Sequence, residues 1–380
     1  MAMMEAIVRE LEGRMSGRDL RGRGDREDTV VADGSPSAQS GLRRLETLYL
    51  GGGTPSLLEE EELQCLLDGL GRWYSMDGME EFTLEVNPED VDLPRLAMWK
   101  RLGVNRLSLG VQSFDAAFLR GMNRSHGVQD SLNALDLIAS EGHWALSADL
   151  IYGFPEQSME AFQKDLRTLL TLGVPHISAY QLTREPRTVL DHWMHQGKVD
   201  LPPDQSVLDQ MRSLYETCSE WGYEAYELSN LALPGHRAVH NSRYWSGHPY
   251  TGLGPSAHSF DGHRIRSWNI AHNARYVDKV NRQEPYFECE YLNEADRFNE
   301  FLMIRLRLDQ GIAWEDLLGR FGEGRLARLR TDLGQQTEDS FDLDLEGFLS
   351  GNPGSRLRLS MSGRGWADRI AASLFQDEVI

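Results

Sequence analysis

Cysteine is scarce. The 380 residues hold three, Cys65, Cys218 and Cys289, far apart and in no CxxC spacing. That excludes a disulfide-stapled secreted fold, fits a reducing compartment, and offers no thiolate cage for a metal. The three are expected to be buried or incidental thiols. Also missing is any apolar run of about 18 residues, the length that a membrane-spanning helix needs. The segment from Met1 to Met15 is too charged for a secretory signal. A cytoplasmic location without a membrane span is the expectation. Basic charge is short as well: 39 Lys and Arg stand against 59 Asp and Glu, a net charge of −20. Nucleic-acid partners are excluded on that ground, because a phosphate backbone calls for a basic stripe that displaces counterions.

What the chain does have is a beat. Its length suits a barrel-sized domain of roughly 200 to 250 residues and a smaller one. Ile7, Val8 and Leu11 recur at helical spacing within Met4 to Met15, and the stretch from Ser16 to Gly41, rich in Gly, Ser, Arg and Asp, reads as a flexible surface loop. An apolar run from Leu45 to Leu50 then meets Gly51, Gly52 and Gly53. Thr54 or Ser56 is the expected cap of a helix that begins in the acidic run from Leu57 to Leu63. Strands follow at Glu81 to Val86, Asn105 to Gly110, Ala145 to Ile151 and His176 to Tyr180, separated by helices at Pro94 to Leu102, Asp130 to Ser140 and Met159 to Leu172. Five strands alternating with helices indicate an α/β protein built of βαβ units on a parallel sheet, closed as a barrel or doubly wound. Both forms place ligands at the carboxyl ends of the strands.

Those ends are unusually polar. Three glycines let a backbone pass close to a bound group and turn N–H donors toward a carboxylate or phosphate, although a tight strand-to-helix turn that binds nothing has the same composition. Glu85 ends the next strand, Gln112 follows the third, Arg124 lies just beyond, and Asp149 sits in the fourth. Carboxylates accept from an ammonium or from ribose hydroxyls, and Arg holds a carboxylate in two-point fashion. The set suits an amino-acid nucleoside; mutual salt-bridging among the same residues is the competing reading.

Six ordered stretches carry a resemblance: Gly51-Gly52-Gly53-Thr54-Pro55-Ser56, Glu85-Val86-Asn87-Pro88, Gly110-Val111-Gln112-Ser113-Phe114, Arg124-Ser125-His126, Asp149 through Pro155, and His240-Asn241-Ser242-Arg243-Tyr244-Trp245. From about residue 45 to the end the chain resembles the radical-SAM coproporphyrinogen III oxidase-like family, and within it the haem-chaperone branch. The resemblance implies a partial (β/α)6 barrel with a small, mainly helical C-terminal domain, S-adenosylmethionine bound across the strand ends, and haem as cargo. It assigns Gly52, Gly53 and Thr54 to the methionine end of the cofactor, and Glu85, Gln112, Arg124 and Asp149 to the rest of the pocket. The family also carries a CxxxCxxC loop after its first strand, whose thiolates hold a [4Fe–4S] cluster. Here that strand and loop are missing, so the resemblance leaves two expectations open: a start at an internal methionine of a longer protein, or a shortened relative without radical chemistry. No metal ligands are assigned in this chain.

The expected domains are a barrel helix and loop over 1–44, the partial barrel and its extension over 45–290, and a winged-helix-like unit over 291–380. Within the last third, a helix from Val207 to Trp221 leads to the Tyr223 to Asn230 stretch. Helical runs are expected from Asp296 to Leu308 and from Trp314 to Phe321. His192 and His195 read as part of a surface helix and not as a metal box. His240, beside Tyr244 and Trp245, is the candidate haem ligand, against the alternative of a hydrogen-bonded loop histidine. The function implied by the resemblance is haem transfer to an acceptor protein. The alternatives are oxidative decarboxylation of coproporphyrinogen III and a catalytically inactive S-adenosylmethionine-binding relative.

Overall fold

A computed structural model describes residues 1–17, 42–186, 188–334 and 354–377. The expected loop from Ser16 to Gly41 lies almost wholly outside the described residues. The chain divides into two compact units. The first comprises Met1–Thr83, Met98–Val104 and Ala238–Arg297; the second comprises Leu84–Ala97, Asn105–Arg237 and Phe298–Ile380.

In the first unit, helix α1 (Ala2–Met15) presents Met4 and Leu11 to Leu66 and Leu70 of α2 (Glu60–Gly71), while its Ala6 packs on Tyr276, Val280 and Tyr286. Burying each large side chain contributes on the order of 1.5–3 kcal/mol. Strand β1 (Arg43–Arg44) pairs in parallel with β3 (Tyr74–Ser75), and β2 (Thr47–Leu50) neighbours β4 (Glu81–Val86). The expected cap of α2 is corrected. Pro55–Leu57 first closes a single 3₁₀ turn after Thr54, and the helix starts later, at Glu59, whose side chain forms a reciprocal capping box with Glu62.

A three-stranded antiparallel sheet in this unit is not foreshadowed by the sequence. It is built from β10 (His258–Phe260), β11 (Ile265–Asn269) and β12 (Phe287–Tyr291), in register His258↔Trp268 and Ile265↔Tyr291. Helices α9 (Val239–Trp245) and α10 (Asn273–Arg282) flank these strands in sequence.

In the second unit the strands run in the order β4, β5 (Arg106–Gln112), β6 (Ala145–Tyr152), β7 (His176–Gln181), β9 (Asn230–Ala232) and β8 (Glu224–Ala225). The pairings β5·β6 and β6·β7 are parallel; β9 turns antiparallel to β7. Every residue of β5 is buried, including Leu107, Leu109 and Val111, as a parallel strand covered on both faces requires. The helices α3 (Leu93–Arg101), α5 (Val128–Glu141) and α6 (Met159–Thr171) fall within two residues of their expected limits. Short α4 (Ala116–Gly121) is an addition, capped by Asp115, whose Oδ1 accepts from Ala117 N–H at 2.7 Å.

Helices α7 (Val189–His195) and α8 (Asp204–Glu220) complete this part, with α8 packed on α6. A separate apolar core gathers Phe298 and Leu302 of α11 (Glu294–Leu306), Trp314, Leu326 and Leu329 of α12 (Trp314–Leu333), and Ile370 and Leu374 near the end of the chain. The helix expected from Trp314 to Phe321 resumes after a break at Gly322, whose φ is +73°.

Candidate functional site

In the second unit, polar side chains meet on three neighbouring strands. Asp149 lies in β6 directly across from Ser178 of β7, and Ser108 of β5 donates to its Oδ1 at 3.4 Å. Removal from water is the main influence on the Asp149 carboxyl and pushes it up to about 7. The Ser178 and Ser108 hydroxyls and Arg124 oppose that rise, and the like charge of Glu85 adds to it. Glu85 and Arg124 therefore both lie within electrostatic reach of Asp149. The sequence reading missed Ser108 and Ser178. Hydroxyl residues inside otherwise apolar strands were the available signal.

Gln112 ends β5 in an irregular register. Leu109 pairs with Ala148 and Gln112 with Leu150, so Gly110 and Val111 stand against the single residue Asp149. Gln112 is buried and takes a φ of +67°, a region that a residue with a side chain seldom enters. Its amide lies over Gly110, where an added Cβ would come within 3.1 Å of Gln112 Nε2. Arg124 is exposed in the loop after α4, with its backbone N–H bonded to Leu119 O at 3.0 Å.

The remaining candidates belong to the first unit. Gly52 and Gly53 are exposed with φ of +76° and +70°, and open space surrounds a Cβ at either. Conformation, and not crowding, demands glycine in this turn. Thr54 is partly buried at the head of the 3₁₀ turn, where its carbonyl accepts from Leu57 N–H. His240 sits in the first turn of α9. Its ring stacks on Tyr49 at 5.1 Å, and its Nδ1 lies 2.9 Å from Thr47 Oγ1. The helix start itself rests on Glu81, whose carboxylate accepts from Val239 N–H at 2.8 Å and His240 N–H at 2.9 Å. Burial lowers the His240 pKa and the Glu81 charge opposes the shift, so the ring is neutral near pH 7. A proton on Nδ1 toward Thr47 would leave the lone pair on Nε2.

The cysteines do not make a cluster site. Cys65 lies in α2, Cys289 is exposed in β12, and Cys218 is buried in α8 with its thiol pushed up to about 12 by burial. No group of three or more His, Cys, Asp or Glu arranged to hold a metal occurs among the described residues. No helix there is long and apolar enough to cross a membrane. The His192 and His195 side chains are exposed and engage Gln196 and Arg184, as expected of a surface helix.

Comparison with known proteins adds ancestry to this geometry. The Radical SAM superfamily signature matches residues 38–169. The chain is 30% identical over 325 residues to the haem chaperone HemW of Bacillus subtilis, covering 83% of this chain and 86% of that protein. It is 36% identical over 271 residues to HemW of Escherichia coli, covering 70% and 69%. The chain belongs to the HemW haem-chaperone family of radical-SAM proteins. Among solved structures, coproporphyrinogen III oxidase of Escherichia coli superimposes with a TM-score of 0.74 over 98% of this chain and 82% of its own, at 20% identity. That likeness bears out the α/β architecture of the radical-SAM fold. The helical C-terminal region expected of a HemW-like protein is present as well.

Proposed function

We propose that the protein binds S-adenosylmethionine and haem and passes the haem to an acceptor protein. The observation that carries the cofactor half is the Asp149 carboxyl on β6, bonded by Ser108 and within electrostatic reach of Glu85 and Arg124, with Gln112 paired one residue further along the ladder. S-adenosylmethionine presents an ammonium, a carboxylate, ribose hydroxyls and a sulfonium. Asp149 and Glu85 suit the ammonium and hydroxyls, Arg124 the carboxylate, and the Gln112 amide either a donor or an acceptor. Gly52, Gly53 and Thr54 are assigned the methionine end on the family resemblance alone. The described cysteines do not fit a [4Fe–4S] cluster, so no radical step is derived for this chain.

The haem half rests on the relatives named haem chaperones and on His240, a neutral imidazole with one nitrogen oriented by Thr47. An oriented neutral imidazole is the ordinary ligand of haem iron. The decarboxylase alternative rests on a solved structure at 20% identity, a likeness that carries fold and not activity.

Haem titration followed by absorption spectroscopy tests this reading. Thr47→Val is expected to weaken haem binding roughly 10- to 100-fold by freeing the ring, and His240→Ala to weaken it at least as much and to change the iron-ligand bands. Unchanged affinity and spectrum in His240→Ala would remove it as a ligand.

A further inference from the structure

Resting on the S-adenosylmethionine reading, we infer that His126 and Asp165 are positioning residues that hold Gln112 in its binding conformation. Ser113 N–H donates to Val111 O at 2.9 Å, closing a three-residue turn about Gln112 with its φ of +67°. A turn of this hand is the rare and strained form of the γ-turn. Strain of that kind persists only where the surroundings over-determine it.

Two buried side chains do so, one on each side of Gln112. His126, 3% exposed, places Nε2 at 3.2 Å from Val111 O, the same carbonyl that closes the turn. Its Nδ1 faces Glu89 Oε2 at 3.4 Å, and the other oxygen of Glu89 accepts from Ser125 Oγ. The histidine is thus fixed from behind, two residues from Arg124. On the far side, Ser113 Oγ donates to Asp165 Oδ2 at 2.5 Å and accepts from Asp115 N–H at 3.0 Å. Asp165 is 2% exposed in α6, which leaves it no route to a ligand. His126 and Asp165 both act on the residues flanking Gln112, and Gly110 leaves the space that the Gln112 side chain occupies.

The test is a double-mutant cycle read by calorimetric titration of S-adenosylmethionine into the whole chain. His126→Ala and Asp165→Asn are each expected to weaken binding about tenfold while the thermal transition is retained. In a Gln112→Gly background, where a positive φ carries no strain and the amide is gone, either change should alter affinity less than about twofold. Equal losses in both backgrounds would reduce the two residues to general scaffold and overturn the inference, as would full affinity in both single variants. A wild-type chain that fails to bind S-adenosylmethionine would remove the cofactor reading and this inference together. Should His126→Ala fail to fold, His126→Gln, which keeps a donor for Val111 O, is expected to retain most of the affinity; loss as deep as that of Asp165→Asn would count against the His126 assignment.

Discussion

Glu10→Ala is expected to lower the first thermal transition by roughly 10 °C, a loss on the order of 3–5 kcal/mol. Glu10 is fully buried in α1 and ties together four parts of the first unit. Its carboxylate accepts from Arg14 Nε at 2.9 Å, Gly254 N–H at 2.8 Å, Asn269 Nδ2 at 2.8 Å and the Tyr276 hydroxyl. Removing it strands two buried donors, Gly254 N–H and the Tyr276 hydroxyl, takes one of the two acceptors of Asn269 Nδ2, which keeps Gly254 O, and leaves the Arg14 guanidinium on the neutral acceptors Ser259 Oγ and Asn269 Oδ1 among the described residues. The Tyr276 hydroxyl, whose pKa burial and the Glu10 charge both raise, stays protonated as the donor throughout the accessible pH range. Glu10→Gln keeps the shape and loses the charge, so it should fall between the two. A Glu10→Ala transition within about 2 °C of wild type would show that the network adds little to stability.

The affinity for S-adenosylmethionine is expected to rise about tenfold per pH unit between roughly pH 5.5 and 7 and then to level off. Asp149, at about 7, is largely protonated below that pH. A ligand bearing an ammonium and a sulfonium favours the ionised carboxylate, so binding in acid must release a proton. Stability of the free protein moves the other way. The native carboxyl holds a proton that the unfolded chain, ionising near 3.8, has already lost, so Asp149 favours the fold in acid and that contribution fades as pH rises toward 7. Calorimetry in buffers of different ionisation enthalpy should detect close to one proton released per ligand near pH 6. Asp149→Asn should abolish both the release and the slope. A wild-type affinity constant from pH 5.5 to 8 would contradict the role given to Asp149.

Much of the second unit was legible because its signals are local. The strand from Glu81 to Val86 stops at Asn87-Pro88 and the helix from Pro94 to Leu102 at Gly103, signals that fix element type without reference to distant residues. Legible, too, was the polar set at the strand ends, since Glu85 and Asp149 interrupt sequences that otherwise read as core.

What escaped depends on pairings far apart in the chain or on backbone torsion. The antiparallel sheet over His258–Tyr291 has strands of three to five residues, too short for alternation to stand out. Glu81 looked like the first residue of a strand, and its partners Val239 and His240 lie about 160 positions away. The positive φ of Gln112 leaves no trace in composition, because its cause is the grip of His126 and Asp165 on its neighbours.

Haem transfer is the most direct test of the proposed function. The protein is loaded with one equivalent of haem, freed of excess, and mixed with the apo form of a b-type haem protein while the absorption of each partner is followed. The account predicts a haem-bound starting state with an imidazole-ligand spectrum, weakened by His240→Ala, and passage of the haem to the acceptor by direct contact, at a rate that grows with acceptor concentration. A protein that retains no haem, or whose haem reaches the acceptor only at the rate of its spontaneous release, would contradict it.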